Sequence, residues 1–411
     1  MSKRLLALTA ILVAGLVLAA CGGATGGGGG SAAAFECTDA IGCVEVAAGA
    51  PIRIASALVI SGPNADLGLD SQHGVEIAIE FKGDVLGHPV ELQAEDDGCS
   101  AEGGQTAGQK IVSDPSIVAI IGTSCSGAGV PLAQIASDAG YAVVSPSNTA
   151  PSLTDPAQAW KPGYLRTAHN DKVQGAAMAD YAYNTLGLTT AAAIHDGDPY
   201  TEGLANAFRE AFEAEGGTIV AFTAVNVGDT DMRPVLTSIA ASAGGAPGFL
   251  FFPVFTAECA HLATQALEVA GLENTVRGAA DGCFSAAAAE AIGSAAAGMY
   301  FSGPDLAFAG DTYADFTAAY QANFGSAPLS VFHAHAFDAT NMVFACIEEV
   351  AKQGDGGALL IGRQDLRDCL YATSGFAGIT GSLTCNEYGD CADPKIAVYE
   401  IQNGDYVAIW P

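Results

Sequence analysis

One feature restricts this chain more than any other. From Ile52 onward, short continuous apolar runs alternate with longer amphipathic ones. The runs IRIASALV (52–59), VAIIG (118–122), YAVVS (141–145), AAAIHD (191–196), TIVAF (218–222), FLFFPV (249–254) and GMYFSG (298–303) are short and bear apolar residues toward both faces. Strands of that kind are buried on both sides, which calls for parallel sheets covered by helices. The segments between them supply those helices. Leu204, Phe208, Ala211 and Phe212 recur at helical spacing, as do Leu262, Ala266, Val269 and Ala270, and Phe316, Ala319, Tyr320 and Phe324. Such stripes face a core. Gly140, the pair Gly216 and Gly217, and Gly271 close the predicted helices at 129–139, 201–215 and 258–270. The end of the chain differs: SLTC, IAVYEIQ and YVAIW, divided by Asn403-Gly404-Asp405, read as a hairpin. The 411 residues correspond to two or three domains at roughly 150 residues each. The predicted fold class is α/β, with two doubly wound parallel-sheet lobes joined by a hinge. Sheets of this type hold ligands beyond the carboxyl ends of their strands.

The first residues, MSKRLLALTAILVAGLVLAAC, carry cations at Lys3 and Arg4, an apolar run from Leu5 to Leu18, small residues and then Cys21. The run falls short of the ~20 residues that span a bilayer, so it reads as a secretion signal. Leu18-Ala19-Ala20-Cys21 resembles the lipobox of bacterial lipoproteins, where cleavage leaves the cysteine as a lipid-bearing N-terminus. Residues 1–20 are thus expected to be a lipoprotein signal peptide. Residues 21–50 then form a Gly-rich tether (GGATGGGGGSAAA at 22–34) and a small N-terminal segment. Only the lipid would touch the membrane, from the extracytoplasmic side.

Fifteen basic residues against 45 acidic ones give a net charge of −30. A nucleic acid partner needs phosphates neutralised by cations, and this chain argues against one. Of 11 cysteines, Cys21 goes to lipid, and an even number remains in an exported chain, which suggests disulfides. Neighbour spacing offers Cys37 with Cys43, Cys99 with Cys125, Cys259 with Cys283, Cys346 with Cys369, and Cys385 with Cys391. No C-x-x-C pair occurs, and His333 and His335 would diverge on a helix. No metal and no cofactor are expected. The acidic pairs Asp96-Asp97 and Asp229 with Asp231 lack the EF-hand pattern; they read as solvated surface, or in part as a docking face for basic loops.

The strand ends carry the chemistry. VAIIG runs into Thr123-Ser124-Cys125-Ser126-Gly127-Ala128-Gly129 and a helix, whose free N–H groups favour an anion. YAVVS ends in Pro146-Ser147-Asn148-Thr149-Ala150-Pro151. Two hydroxyl-rich turns on neighbouring strands can grip one small carboxylate. The alternative is that these hydroxyls only cap helices.

Several stretches, in order, resemble the leucine/isoleucine/valine-binding family of solute-binding proteins, the receptors of branched-chain amino acid ABC transporters. They are SGPNADLG (61–68), EDDGCS (95–100), GTSCSGAG (122–129), SPSNTAPSLT (145–154), YLRTAHND (164–171), HDGDPYTEGLA (195–205) and FAGITGSL (376–383). The resemblance implies a disulfide between Cys99 and Cys125 beside the ligand. It also implies Ser126 binding an α-carboxylate through hydroxyl and N–H, with Ser147 (backbone) and Thr149 (hydroxyl and N–H) serving the carboxylate and ammonium. On the opposite lobe it places Tyr200 along the cleft and Asp281, where the family often has glutamate, against the ammonium. Leu67 stands where relatives usually have an aromatic residue, and Phe255 where they have a tyrosine. Both positions remain apolar, so an aliphatic side chain still suits the site. Relatives that take amides, urea or aromatic acids are the alternatives.

The enzymatic rival is Gly122-Thr123-Ser124-Cys125-Ser126, which nearly spells a hydrolase elbow but lacks its final glycine; His195 is its candidate base. The expectation is no enzyme. The chain is read as a monomeric receptor for a small amino acid, delivering to an ABC permease. A role as ligand-binding partner of a sensory system is the other option. Residues 51–167 with 304–376 form lobe one, and 168–303 with 377–411 form lobe two.

Overall fold

The computed structural model describes residues 36–411. The signal segment, Cys21 and nearly all of the Gly-rich stretch lie outside the described residues. In chain order the first part comprises β1 (Cys43–Val46), β2 (Ile52–Leu58), α1 (Ala65–Lys82), β3 (Val90–Asp96), α2 (Ala101–Val112), β4 (Ile117–Gly122), α3 (Ser126–Asp138), β5 (Ala142–Ser145) and β6 (Tyr164–Arg166). The middle comprises α4 (Asp171–Asp180), β7 (Thr190–His195), α5 (Pro199–Ala214), β8 (Thr218–Ala224), α6 (Arg233–Ala240), β9 (Phe249–Phe251), α7 (Thr256–Ala266), β10 (Val276–Ala280), α8 (Ala286–Ile292) and β11 (Met299–Pro304). The rest is α9 (Asp311–Phe324), α10 (His333–Val350), β12 (Lys352–Gln353), β13 (Leu359–Gly362), α11 (Arg363–Tyr371), β14 (Phe376–Gly378), β15 (Gly381–Leu383), β16 (Ile396–Gln402) and β17 (Asp405–Trp410).

Two principal sheets result. The first has the order β3-β2-β4-β5-β6, parallel throughout. The second has the order β17-β16-β11-β10-β9-β7-β8, parallel from β11 to β8. Every residue of β4 is buried, as a strand covered on both faces requires. The predicted stripe on α5 also holds: Leu204, Phe208 and Phe212 are fully buried. The C-terminal hairpin forms between β16 and β17, with Asn403 and Gly404 both at positive φ (55° and 96°), the geometry a two-residue turn demands. It adds antiparallel to β11 and so closes the second sheet.

Two expectations need correction. SLTC does not join the hairpin; Gly381–Leu383 pairs with β14 in a separate two-stranded sheet. Residues 377 to about 391, assigned to lobe two, instead pack with the first lobe, because Leu383 and Cys391 belong to the core built around β2, β4 and β5. The small N-terminal segment that follows the Gly-rich stretch packs on the same core, where Val44 and Val46 enter as β1 pairs with β13. All five neighbouring cysteine pairs are disulfide-bonded.

Arg166, at the end of β6, is fully buried. Its guanidinium donates to the carbonyls of Asn148 and Ala150 and to Thr154 Oγ1, and pairs with Asp390 at 2.6 Å. One cation thus pins the turn after β5 and the loop that returns from β15. Removing one member of a buried charged network leaves the others desolvated and unpaired, at about 3–5 kcal/mol. Arg166→Leu is expected to destabilise by about that amount in denaturant unfolding, and Asp390→Asn, which leaves the fully buried guanidinium without a counter-ion, by a comparable amount. Equal, small effects would contradict this role for Arg166.

Candidate ligand-binding site

Parallel pairing of β4 with β5 sets the turns that follow them side by side. Asn148 then stitches the two turns together. It accepts from Thr123 Oγ1 (3.0 Å), and its Nδ2 donates to the carbonyls of Thr123 and Ser124, both at 3.0 Å. Ser145 Oγ donates to the Thr123 carbonyl (2.9 Å), and Ser147 Oγ to that of Ser124 (2.7 Å). From the other side Asp97 accepts from the N–H groups of Ser124 (2.7 Å) and Cys99 (2.8 Å), beside the Cys99–Cys125 disulfide. The expectation that Asp96-Asp97 is solvated surface fails here. Asp97 is fully buried, and burial pushes its carboxyl up to about 7 against the pull of those N–H donors.

The resulting cavity has a volume of about 10 Å³, the space of about one water molecule, so its two walls lie almost in contact. It is lined by Leu67, Ser124, Cys125, Ser126, Ser147 and Phe332 on one side, and Tyr200, Phe255, Asp281 and Gly282 on the other. Six of the seven predicted ligand residues therefore meet in one place. Ser126 opens α3, and its hydroxyl accepts from the Ala150 N–H at 3.3 Å. The first N–H groups of that helix have no intrahelical partner. Thr149 is the exception. It does not line the cavity; its buried hydroxyl serves the Asp171 carboxyl, and its carbonyl accepts from the Asp171 N–H at 3.0 Å.

Across the cavity Asp281 follows β10. Its Oδ1 accepts from Tyr200 OH (2.9 Å) and Gln174 Nε2 (2.8 Å), and Gly282 N–H donates to the same phenol oxygen (2.9 Å). Burial and the nearby carboxylates of Asp281 and Asp171 hold the Tyr200 phenol well above its usual range, so it stays neutral and donates. The Phe255 ring packs 5.2 Å from that of Tyr200. The lining thus combines aromatic and aliphatic groups with hydroxyls and a carboxylate.

Helix α5 bridges the two sides. Its cap, Asp198, accepts from Tyr200 N–H at 2.8 Å through Oδ1. Its Oδ2 lies only 2.0 Å from where a Cβ on Gly127 would sit. A side chain at position 127 therefore requires the Asp198 carboxylate to move from this position. Burial pushes the Asp198 carboxyl up to about 6.

The hydrolase elbow is absent as a catalytic device. Ser124 Oγ accepts from Val59 N–H at 3.0 Å, Cys125 is disulfide-bonded, and no histidine lines the cavity. His195 packs 5.2 Å from the ring of Phe222. Among the described residues no cluster of three or more His, Cys, Asp or Glu is arranged to hold a metal. The sequence reading missed Phe332, which comes from a distant helix start with no motif around it. It also missed Asn148, although that residue stands inside a quoted motif.

The sequence profile of the periplasmic binding protein family matches residues 51–405. The Leu/Ile/Val-binding protein homolog 3 of Brucella melitensis is 30% identical over 366 residues, which span 88% of this chain and 95% of the relative. The leucine-, isoleucine-, valine-, threonine- and alanine-binding protein of Pseudomonas aeruginosa is 27% identical over 355 residues, 85% of this chain and 89% of the relative. Among solved structures, the leucine-binding protein LivK of Thermotoga maritima superposes with a TM-score of 0.77 at 26% identity, covering 87% of this chain and 97% of that one. A solute-binding protein of R. palustris in complex with benzoate shares the fold, with a TM-score of 0.73 at 20% identity over 88% and 96% of the two chains. The chain therefore belongs to the periplasmic binding protein family, among its Leu/Ile/Val-binding members, which are solute receptors and not enzymes.

Proposed function

We propose that this protein is the lipid-tethered, extracytoplasmic receptor of an ABC transporter, and that it captures an aliphatic amino acid, of which the branched-chain ones fit best, for a permease. The observation that carries this reading is the single cavity shared by Ser126 and Ser147 with Tyr200 and Asp281, which come from opposite lobes. The ligand carboxylate meets the start of α3 and the Ser126 hydroxyl, where N–H groups and helix dipole favour an anion. The ammonium meets Asp281. The side chain packs on Leu67, Phe255 and Phe332, and its burial contributes roughly 1.5–3 kcal/mol. Because both lobes contact the ligand only when closed, ligand binding draws the hinge shut. Residue types at Leu67 and Phe255 support an aliphatic rather than a hydroxylated or charged side chain. Cys21 would hold the protein at the membrane, and the closed form would present itself to the permease.

The direct test is a thermal-shift screen of the chain bearing Cys21→Ser against amino acids, amides, urea and aromatic acids, since binding to the native state raises the melting temperature. Stabilisation by an amide or urea alone would reject the amino acid assignment. Asp281→Ala is expected to weaken amino acid binding at least about tenfold by calorimetry, because the ammonium loses its counter-ion in a shielded site. Ser126→Ala should weaken leucine, isoleucine and valine by similar factors; a loss confined to one of them would contradict a head-group role. Gly127→Ala should lower affinity through a faster off-rate while leaving the unliganded melting temperature unchanged.

A further inference from the structure

A second cavity lies at the hinge. The chain passes between the lobes three times, from Leu165 to Ala168, from Phe301 to Phe316 and from Cys391 to Ala397. All three passages wall one cavity of about 270 Å³, close to the ~300 Å³ at which small-molecule sites begin. His169 comes from the first passage, Pro304, Asp305 and Phe308 from the second, and Asp393 and Lys395 from the third. Hydrogen bonds tie these walls together. Thr167 Oγ1 donates to the His335 carbonyl at 2.8 Å, and the Asp305 N–H donates to the Lys395 carbonyl at 2.8 Å.

The cavity carries an unanswered acceptor. His335, in the first turn of α10, is 6% exposed and lines the cavity. Its Nδ1 is enclosed, and Nε2, which has no protein partner, is the ring nitrogen left open. Burial lowers this imidazole to about 3, so it is neutral, and the Val331 carbonyl beside it favours the proton on Nδ1. Nε2 therefore presents a lone pair, and an occupant must bring a donor. The charged groups define which kind. Asp305 and Asp393 are acids, burial keeps His169 neutral, and Lys395 is already paired with Asp393 at 3.0 Å. The Phe308 ring stands 6.1 Å from that of His335, and aromatic faces attract positive groups. An anion would meet two carboxylates here. A cation with N–H donors meets an acceptor, an aromatic face and an excess of negative charge.

We propose that the hinge cavity is a second solute site, for a small organic ammonium ion, and that its occupancy favours closure of the lobes. A rotation that parts the lobes must move the three passages, so the cavity keeps this shape only while the walls of the ligand cavity nearly meet. A solute that fits the closed shape shifts the equilibrium toward it. It therefore tightens ligand binding, and the ligand tightens its binding by the same factor. A direct connection runs between the two cavities. His169 Nε2 bonds to Gln174 Oε1 at 2.5 Å, and Gln174 Nε2 donates at 2.8 Å to Asp281 Oδ1, in the wall of the ligand cavity. The hinge site stands whatever solute the ligand cavity takes; the coupling rests on the reading of that cavity as an amino acid site.

The experiment is titration calorimetry on the chain bearing Cys21→Ser, in about 0.15 M salt to screen surface charge, with 1,4-diaminobutane, butane-1,4-diol and succinate as probes. The diamine is expected to bind with a Kd of about 1 mM or tighter, without displacing L-leucine, and at saturation to tighten L-leucine at least about fivefold. The diol and succinate are expected not to bind. His335→Leu should weaken the diamine at least about tenfold, because a hydrogen bond to a charged group is lost. Its unliganded melting temperature should stay level or rise, since an apolar side chain replaces a buried polar ring. Asp305→Asn, which keeps an acceptor for the Ala307 N–H, should weaken the diamine about threefold and leave L-leucine affinity in its absence unchanged. Diol or succinate binding as tight as that of the diamine overturns the cation assignment. No diamine binding at about 10 mM, displacement of L-leucine by the diamine, or full diamine affinity in both variants overturns the site. Diamine binding that leaves L-leucine affinity unaltered overturns the coupling alone. Failure of L-leucine to bind falls on the ligand cavity, and the diamine titration still decides the hinge site.

Discussion

The site depends on one constraint, the parallel hydrogen-bonded register of β4 with β5. Parallel neighbours end on the same side of a sheet, so the start of α3 and the turn carrying Ser147 and Thr149 emerge together. A one-residue slip in either strand would turn its last side chains to the other face. Asn148, Asp97, Arg166 and the Cys99–Cys125 disulfide all act on this junction. They fix two loops that would otherwise be mobile, and rigid loops lose less entropy when a ligand arrives.

The second lobe contributes in the opposite manner. Its acids, Asp171, Asp198 and Asp281, are brought close to one another with little to neutralise them. Burial raises the Asp171 and Asp198 carboxyls above their ordinary range, and perturbed acids concentrate at functional sites. The first lobe offers N–H groups and hydroxyls and the second offers negative charge, the complement of the zwitterion proposed as ligand. Closure is thus favourable when the molecule between the lobes is polarised in the matching sense. Gly127 allows the approach, since Asp198 occupies the space its side chain would need.

Much of this was legible in the residues. The apolar runs at 118–122 and 141–145 marked the central strands, and the hydroxyl-rich turns after them marked the binding edge. Strands β3, β6 and β10 were missed. VELQAED is mostly polar at a sheet edge, YLR is too short to show a period, and VRGAA carries a buried arginine within the strand, which hides its apolar character. Asp97 was misread because acidity alone suggests solvent. Only the fold reveals that two backbone N–H groups wait for it.

The sequence by itself determined the α/β class, the pairing of neighbouring cysteines as the simplest set, and the hydroxyl-rich turns that follow the central strands, because strand period, export and turn composition are local properties. The tertiary structure decided which of those residues share a cavity. It withdrew Thr149 from the wall, added Phe332 from a distant helix start, and moved the segment around Leu383 and Cys391 into the first core. Those outcomes depend on contacts between segments far apart in the chain, and local pattern does not encode how such segments come to lie against one another.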